Sequence, residues 1–231
     1  MKMKKTIVMA ALLVAAMTAN AQARFDEGTF TIQPRIGATG AQFTNMPASV
    51  GFGDKEVDAT ATGGFMVGVD LEYYLSDRVS LSGGLNLMQA GTGWKDFNYT
   101  EQGVNLKVRD LKVETAYLTV PVVANWYVAK GFALKAGVQA GFMTKAEVKG
   151  TISGSDGSTF AKVELSEDCK DEMEKFDLSI PVGLSYEFKF PLVIDARYNI
   201  GLTKVNKESE PGEKDCRNGV FTLTLGYKFK L

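Results

Sequence analysis

The feature that most constrains this chain is a hydrophobic period of two that returns in eight separate segments. In the last of them Phe221, Leu223, Leu225, Tyr227, Phe229 and Leu231 fall on one side, with Thr222, Thr224, Gly226, Lys228 and Lys230 on the other. Successive side chains of an extended strand point to opposite faces, so this spacing predicts a β-strand with one apolar and one polar face. The same alternation sets Leu192, Ile194, Ala196, Tyr198, Ile200 and Leu202 against Val193, Asp195, Arg197, Asn199 and Gly201. It recurs over residues 178–188, 132–142, 118–126, 79–87, 65–73 and 30–37. Each segment has about ten residues, the length a tilted strand needs to cross a bilayer. Pro34, Pro121 and Pro181 each remove a ladder donor, but the alternation runs through all three.

Alternation leaves two barrels open, because a water-soluble eight-stranded barrel carries the same period with its apolar face inward. Volume decides between them. A ring of eight strands has room inside only for side chains packed at ordinary density. The apolar faces carry Phe, Leu, Ile, Tyr and Trp at most positions, too much for that bore, whereas the polar faces are rich in Gly, Ser and Thr. A soluble exterior would also be crowded with Lys and Glu, yet no polar face holds more than two charges. Those expected to line the lumen are Arg35, Asp70, Glu72, Lys135, Glu187, Asp195, Arg197 and Lys228. They come in both signs and are expected to pair as a closed network in the lumen.

The spacing between segments points the same way. Short turns fall at 76–78, 129–131 and 189–191, and long polar stretches lie at roughly 44–62, 92–112, 144–175 and 203–218. Outer-membrane barrels alternate short periplasmic turns with long outside loops in this manner. Aromatic residues gather beside the short turns: Tyr73 and Tyr74, Trp126 and Tyr127, Phe132, Tyr186, Phe188 and Phe190, with Tyr227 and Phe229 near the same level. They are expected to form a girdle at the membrane interface. The fold expected is all-β, an eight-stranded antiparallel up-and-down transmembrane β-barrel. Its apolar face is outward, both termini are periplasmic, and four mobile loops lie outside the cell.

The start of the chain fits that destination. Lysines stand at positions 2, 4 and 5, residues 6–19 form an apolar run, and Ala21-Gln22-Ala23 supplies a small-x-small exit. Basic head, short apolar middle and such an exit make a secretory signal peptide. The run is shorter than the roughly 20 residues of a spanning helix. No cysteine follows it to direct lipoprotein processing. The expected division is a cleaved signal peptide at 1–23 and one barrel domain at 24–231, in the outer membrane of a Gram-negative bacterium.

Three stretches carry a family resemblance: Tyr117-Leu118-Thr119-Val120-Pro121-Val122-Val123-Ala124, residues 193–202, and residues 219–229. Through them the chain resembles the small outer-membrane barrels of the PorT-like family over essentially its whole mature length. The resemblance implies the barrel and its location; some members of the family are accessories of a protein-secretion system. The last strand also resembles the insertion signal read by the barrel-assembly machinery. That signal often ends in an aromatic residue, whereas this chain has Phe229 but closes on Leu231.

Composition narrows the chemistry. With no histidine in 231 residues, Ser-His and Cys-His nucleophilic schemes are excluded and the commonest zinc ligand is missing. Lys and Arg number 26 against 27 Asp and Glu, which offers no basic stripe for nucleic acid. Cys169 and Cys216 fall in the third and fourth long stretches, on one side of the barrel, and in an exported protein two cysteines favour a disulfide. Two free thiols are the alternative, since a bridge needs close Cα atoms. Glu164, Glu167, Asp168, Asp171, Glu172 and Glu174 concentrate acid in the third stretch without the spacing of a calcium loop, so a solvated acidic segment is expected. No P-loop or dinucleotide fingerprint occurs, and no catalytic, metal or cofactor site is expected.

The functional expectation is a non-enzymatic scaffold or interaction protein, anchored in outer-membrane lipid, whose exposed segments meet envelope proteins. A secretion accessory touching a secretion complex and a narrow pore for small solutes stand as alternatives. N-terminal sequencing of the protein taken from outer membranes is expected to begin Arg24-Phe25-Asp26. A start at Met1 would remove the signal peptide.

Overall fold

Hydrocarbon offers no partner to a backbone N–H or C=O, so strands that cross a membrane must pair on both edges. The computed structural model shows how this chain meets that demand. It describes residues 25–44, 49–52, 55–101, 104–155, 160–207 and 215–231. The expected signal peptide at 1–23 lies outside them. Among the described residues there are thirteen strands: β1 (Phe30–Thr44), β2 (Ser49–Phe52), β3 (Lys55–Thr60), β4 (Thr62–Ser76), β5 (Val79–Trp94), β6 (Phe97–Glu101), β7 (Val104–Ala129), β8 (Phe132–Ser155), β9 (Phe160–Asp168), β10 (Phe176–Glu187), β11 (Leu192–Gly201), β12 (Arg217–Tyr227) and β13 (Phe229–Lys230). Eight of them pair antiparallel in the order β1-β4-β5-β7-β8-β10-β11-β12, and β12 returns to β1 through the Ile36–Leu225 register. The ring has no open edge.

Side chains obey the expected parity. On β12 Leu223 is 49% exposed while its neighbours Thr222 and Thr224 are 2% and 1% exposed. Ile36, Phe65, Leu71, Leu85, Val138 and Leu184 likewise face outward. At the end where the strands are joined by short turns, aromatic rings pair on the outer surface: Phe30 with Tyr73 at 4.5 Å, Tyr186 with Phe188 at 4.9 Å and Tyr227 with Phe229 at 4.7 Å between centroids. Trp126 stands 56% exposed at the same end, with Phe132 beside the next turn. Tyr74 and Tyr127 depart from the expected girdle. Both are buried inside the barrel, because they share the inward parity of Glu72 and Asn125.

Instead of the mobile loops expected, the described residues of the first three long polar stretches are largely strand. β7 runs for 26 residues and β8 for 24. At about 3.4 Å per residue and a tilt near 45°, that is roughly 55–60 Å of wall, against an apolar band about 25 Å tall. β6 and β9 continue this sheet on either side of β7 and β8, and β3, which pairs with β2, joins β5 at Ala59–Trp94 and Thr60–Gly93. A satellite core of Val57, Phe97 and Val108, backed by Trp94, Leu111 and Ile152, holds the raised part together.

Where the wall leaves lipid, its outer face changes character. Glu114 accepts from Lys112 at 2.7 Å and Lys149 at 2.6 Å, and Glu147 from Lys145 at 2.7 Å and Lys149 at 3.2 Å. These lysines hold both carboxyls below the usual glutamate range, Lys112 foremost for Glu114 and Lys145 for Glu147. A carboxyl lowered by folding stabilises the fold above its unfolded pKa and gives that up as pH falls through the lowered value. Acidification below about pH 4 is therefore expected to raise amide exchange at 112–114 and 145–149 before it affects the strands in lipid. Equal loss of protection in both places would show that the belt does not brace the wall.

Candidate functional site: a plugged lumen beneath an apolar mouth

Eight strands leave a bore that side chains from opposite walls can span. At the short-turn end Tyr74 of β4 donates to Glu187 of β10 at 3.3 Å, and these strands stand four apart in the eight-membered ring, the greatest separation it allows. Tyr127 donates to Glu187 at 2.6 Å and to Glu72 at 2.9 Å. Lys228 reaches Glu72 at 2.7 Å, Tyr74 at 3.0 Å and also Glu187, so one ammonium bridges two carboxylates. Ser80 and Asn125 complete the shell around Glu72.

A second layer lies one strand-turn higher. Arg197 binds Asp195 at 2.8 Å and crosses to Asp70 at 3.1 Å. Lys135 meets Asp195 at 2.5 Å, and Arg35 meets Asp70 at 3.3 Å while its Nε donates to Asn86 at 3.2 Å. The eight charges expected in the lumen thus sit in two connected networks, four cations with four anions. Above them Asn199 of β11 donates to the Met88 sulfur of β5 at 3.8 Å, and Asn218 of β12 donates to the Tyr117 hydroxyl of β7 at 3.2 Å and to Asp177 at 2.8 Å. The first two of these contacts again join opposite walls. The bore is therefore crossed at several levels.

The inward glycines do not leave it hollow. A Cβ at Gly84 would collide with the Asp70 carboxylate, and one at Gly68 with the Asn86 amide. The missing side chains are what let those groups lie flat against the wall. Asn86 and Asn125 lie on the polar faces expected to turn inward, whereas Tyr74 and Tyr127, expected in the girdle, enter the lumen because parity places each beside an inward residue.

Over the plug the interior turns apolar. Ala41, Phe43, Met66, Met88, Ala90, Tyr117, Met143, Ala146, Met173, Val205 and Val220 pack together. Phe43, Met173 and Val205 of this cluster, with Trp94, Val113 and Val148, line a cavity of about 240 Å³. Cys169 and Cys216, expected as a candidate disulfide, are separate thiols that line this same cavity. The Cys169 thiol lies 3.9 Å from the Met173 sulfur, and burial, with Glu172 next, pushes its pKa up and keeps it protonated. The expected acidic stretch is spread over β9 and the 3-10 turn Lys170–Glu172; Lys162 pairs with Glu164 at 2.9 Å and Lys175 with Asp171 at 2.8 Å. Among the described residues no group of three or more Cys, Asp or Glu is placed to hold a metal ion.

A closed antiparallel ring with apolar faces turned outward agrees with what a family comparison finds: residues 20–207 match the model of the outer membrane protein beta-barrel domain. The chain belongs to that family. This outer-membrane barrel is similar to the attachment invasion locus protein Ail of Yersinia pestis, with 18% identity, 88% of this chain and 99% of that chain covered, and a TM-score of 0.42. It is similar also to Neisserial surface protein A, at 15% identity, 88% and 100% coverage and a TM-score of 0.41. OprG from Pseudomonas aeruginosa shows 13% identity, 88% and 97% coverage and a TM-score of 0.38. No curated protein matches the barrel's sequence.

Breaking a buried ion cluster on one side strands the other side without a partner, at a cost of about 3–5 kcal/mol. Lys228→Met is expected to cost that much, because Glu72 and Glu187 then face each other unneutralised. The measurement is the urea midpoint at which the barrel loses its compact mobility in gel electrophoresis. Adding Glu72→Gln and Glu187→Gln should recover most of the loss. If the single variant kept the parental midpoint, the network would be carrying none of the stability assigned to it.

Proposed function

We propose that this protein is a closed, non-enzymatic membrane anchor that presents a raised β-wall as an interaction surface. The observation that carries the reading is the pairing of two features: a bore crossed by side chains from opposite strands, and strands that continue well past lipid. A wall of that height has no use in holding the barrel in the bilayer. Among the described residues its edge is also open: β9 pairs with β8 alone, and Val163 and Leu165 stand exposed on it beside Glu164 and Glu167. An unpaired edge strand offers backbone donors and acceptors to a strand of another protein. The acidic side chains favour a partner segment that carries Lys or Arg.

Purified protein in planar bilayers is expected to give no stepwise current, while a photo-crosslinker at 162 in intact cells gives discrete adducts that are lost when Glu164→Lys and Glu167→Lys are combined. Reproducible ion-selective steps would replace the anchor with a narrow pore. Adducts confined to the short turns at 76–78 and 189–191 would instead favour the periplasmic secretion accessory that the PorT-like resemblance implies.

A further inference from the structure

We propose that the apolar mouth binds a small neutral molecule with a ring-sized apolar body and one hydrogen-bond donor. Three observations carry this. The cavity of about 240 Å³ is walled by Phe43, Trp94, Val113, Val148, Met173 and Val205, an interior like that of a ligand-holding soluble barrel and unlike the ionic lumen below it. It is blind, because the Asn218–Tyr117 contact and the ion layers close the barrel beneath. It also lies level with the Lys112–Glu114–Lys149 belt, above the lipid-facing rows, so acyl chains do not reach it.

Size and chemistry then narrow the occupant. A dry cavity of about 150 Å³ takes benzene, so this one suits a body of roughly ten non-hydrogen atoms. The charged residue in its wall is Glu172, a carboxylate that accepts a hydrogen bond from a hydroxyl or amine and repels an anion. The amide oxygen of Asn206, also in the wall, is already engaged by the Cys216 N–H at 3.3 Å. Glu172 is thus the acceptor assigned to the ligand's donor.

Two tryptophans make the site readable: Trp94 lines the cavity and Trp126 faces lipid near the opposite end. The experiment uses the full barrel in lipid nanodiscs with 4-bromophenol, a neutral contact quencher, as the probe. In a Trp126→Phe variant the remaining Trp94 emission is expected to quench saturably; in Trp94→Phe, Trp126 should show only the linear quenching of partition into lipid. Val148→Phe, which fills the cavity, should weaken the saturable phase at least tenfold, and 4-bromobenzenesulfonate should bind at least tenfold more weakly than the phenol. Slower maleimide labelling of Cys169 and Cys216 in the presence of the phenol is expected in the unaltered protein, which covers the case of a variant that fails to fold. Linear quenching of both tryptophans, or unchanged labelling, would overturn the site. Sulfonate binding as tight as the phenol's would overturn the role of Glu172.

Discussion

Everything in this barrel follows from the refusal of hydrocarbon to solvate a peptide group. Strands inside the bilayer must close on themselves, and closure with eight strands makes a bore too narrow to stay empty and too polar to be filled with leucine. Charges become acceptable there because they are balanced and multiply hydrogen-bonded: Lys228 between Glu72 and Glu187, Arg197 between Asp70 and Asp195. A buried ion pair is weak evidence of net stabilisation, since desolvation offsets its attraction. Its effect is better read as register. Arg197 and Asp70 come from strands three apart in the ring, and they meet only if every intervening strand has its correct stagger.

The wall above lipid answers to a different solvent, and the chain changes sides to meet it. On β8 the even-numbered residues are apolar from Phe132 through Phe142, and again from Ala146 through Ile152. The alternation is interrupted only at Met143-Thr144 and resumes with the even positions still apolar. What shifts is the pairing: Tyr117 opposes Met143 but Ala116 opposes Lys145, so Thr144 is an extra residue. That single bulge swings the even positions from lipid to the interior. β7 reaches the same result without an inserted residue, by exchanging its polarity so that Val113 points in while Lys112 and Glu114 point out. The lower barrel is apolar outside and the upper barrel apolar inside.

This explains which parts were legible in the sequence. All eight spanning strands and their facing were readable, because lipid outside and a tight bore inside impose the strongest alternation a strand can carry. The raised wall was not, since Lys145, Glu147 and Lys149 read as loop residues when the apolar face is assumed to remain on the lipid side. Tyr74 and Tyr127 enter the bore for a related reason: both lie beside turns, where an aromatic suits the girdle, but strand parity turns their rings inward. The partners of the lumen charges were beyond reach altogether. Asp70 and Arg197 lie 127 positions apart, and only the closed ring brings them together.

The two regimes also bear on what kind of function the molecule can support. A ligand-sized cavity in an open channel would be a station along a path, and its occupancy would be judged by flux. Here the path ends at the Tyr117–Asn218 contact, with two ionic layers below it. Removing Asn199, Asn218 or any one ion would still leave the others across the bore, so closure does not rest on a single gate residue. Whatever reaches the mouth from outside must leave by the same route. On the proposed reading, a ligand in the mouth would therefore act through how its binding changes the surface of the upper barrel. The cavity is suited to that, because its wall residues Val113 and Val148 alternate with the Glu114, Glu147 and Lys149 side chains that form the outer belt. Filling the inside and ordering the outside are properties of the same two strands.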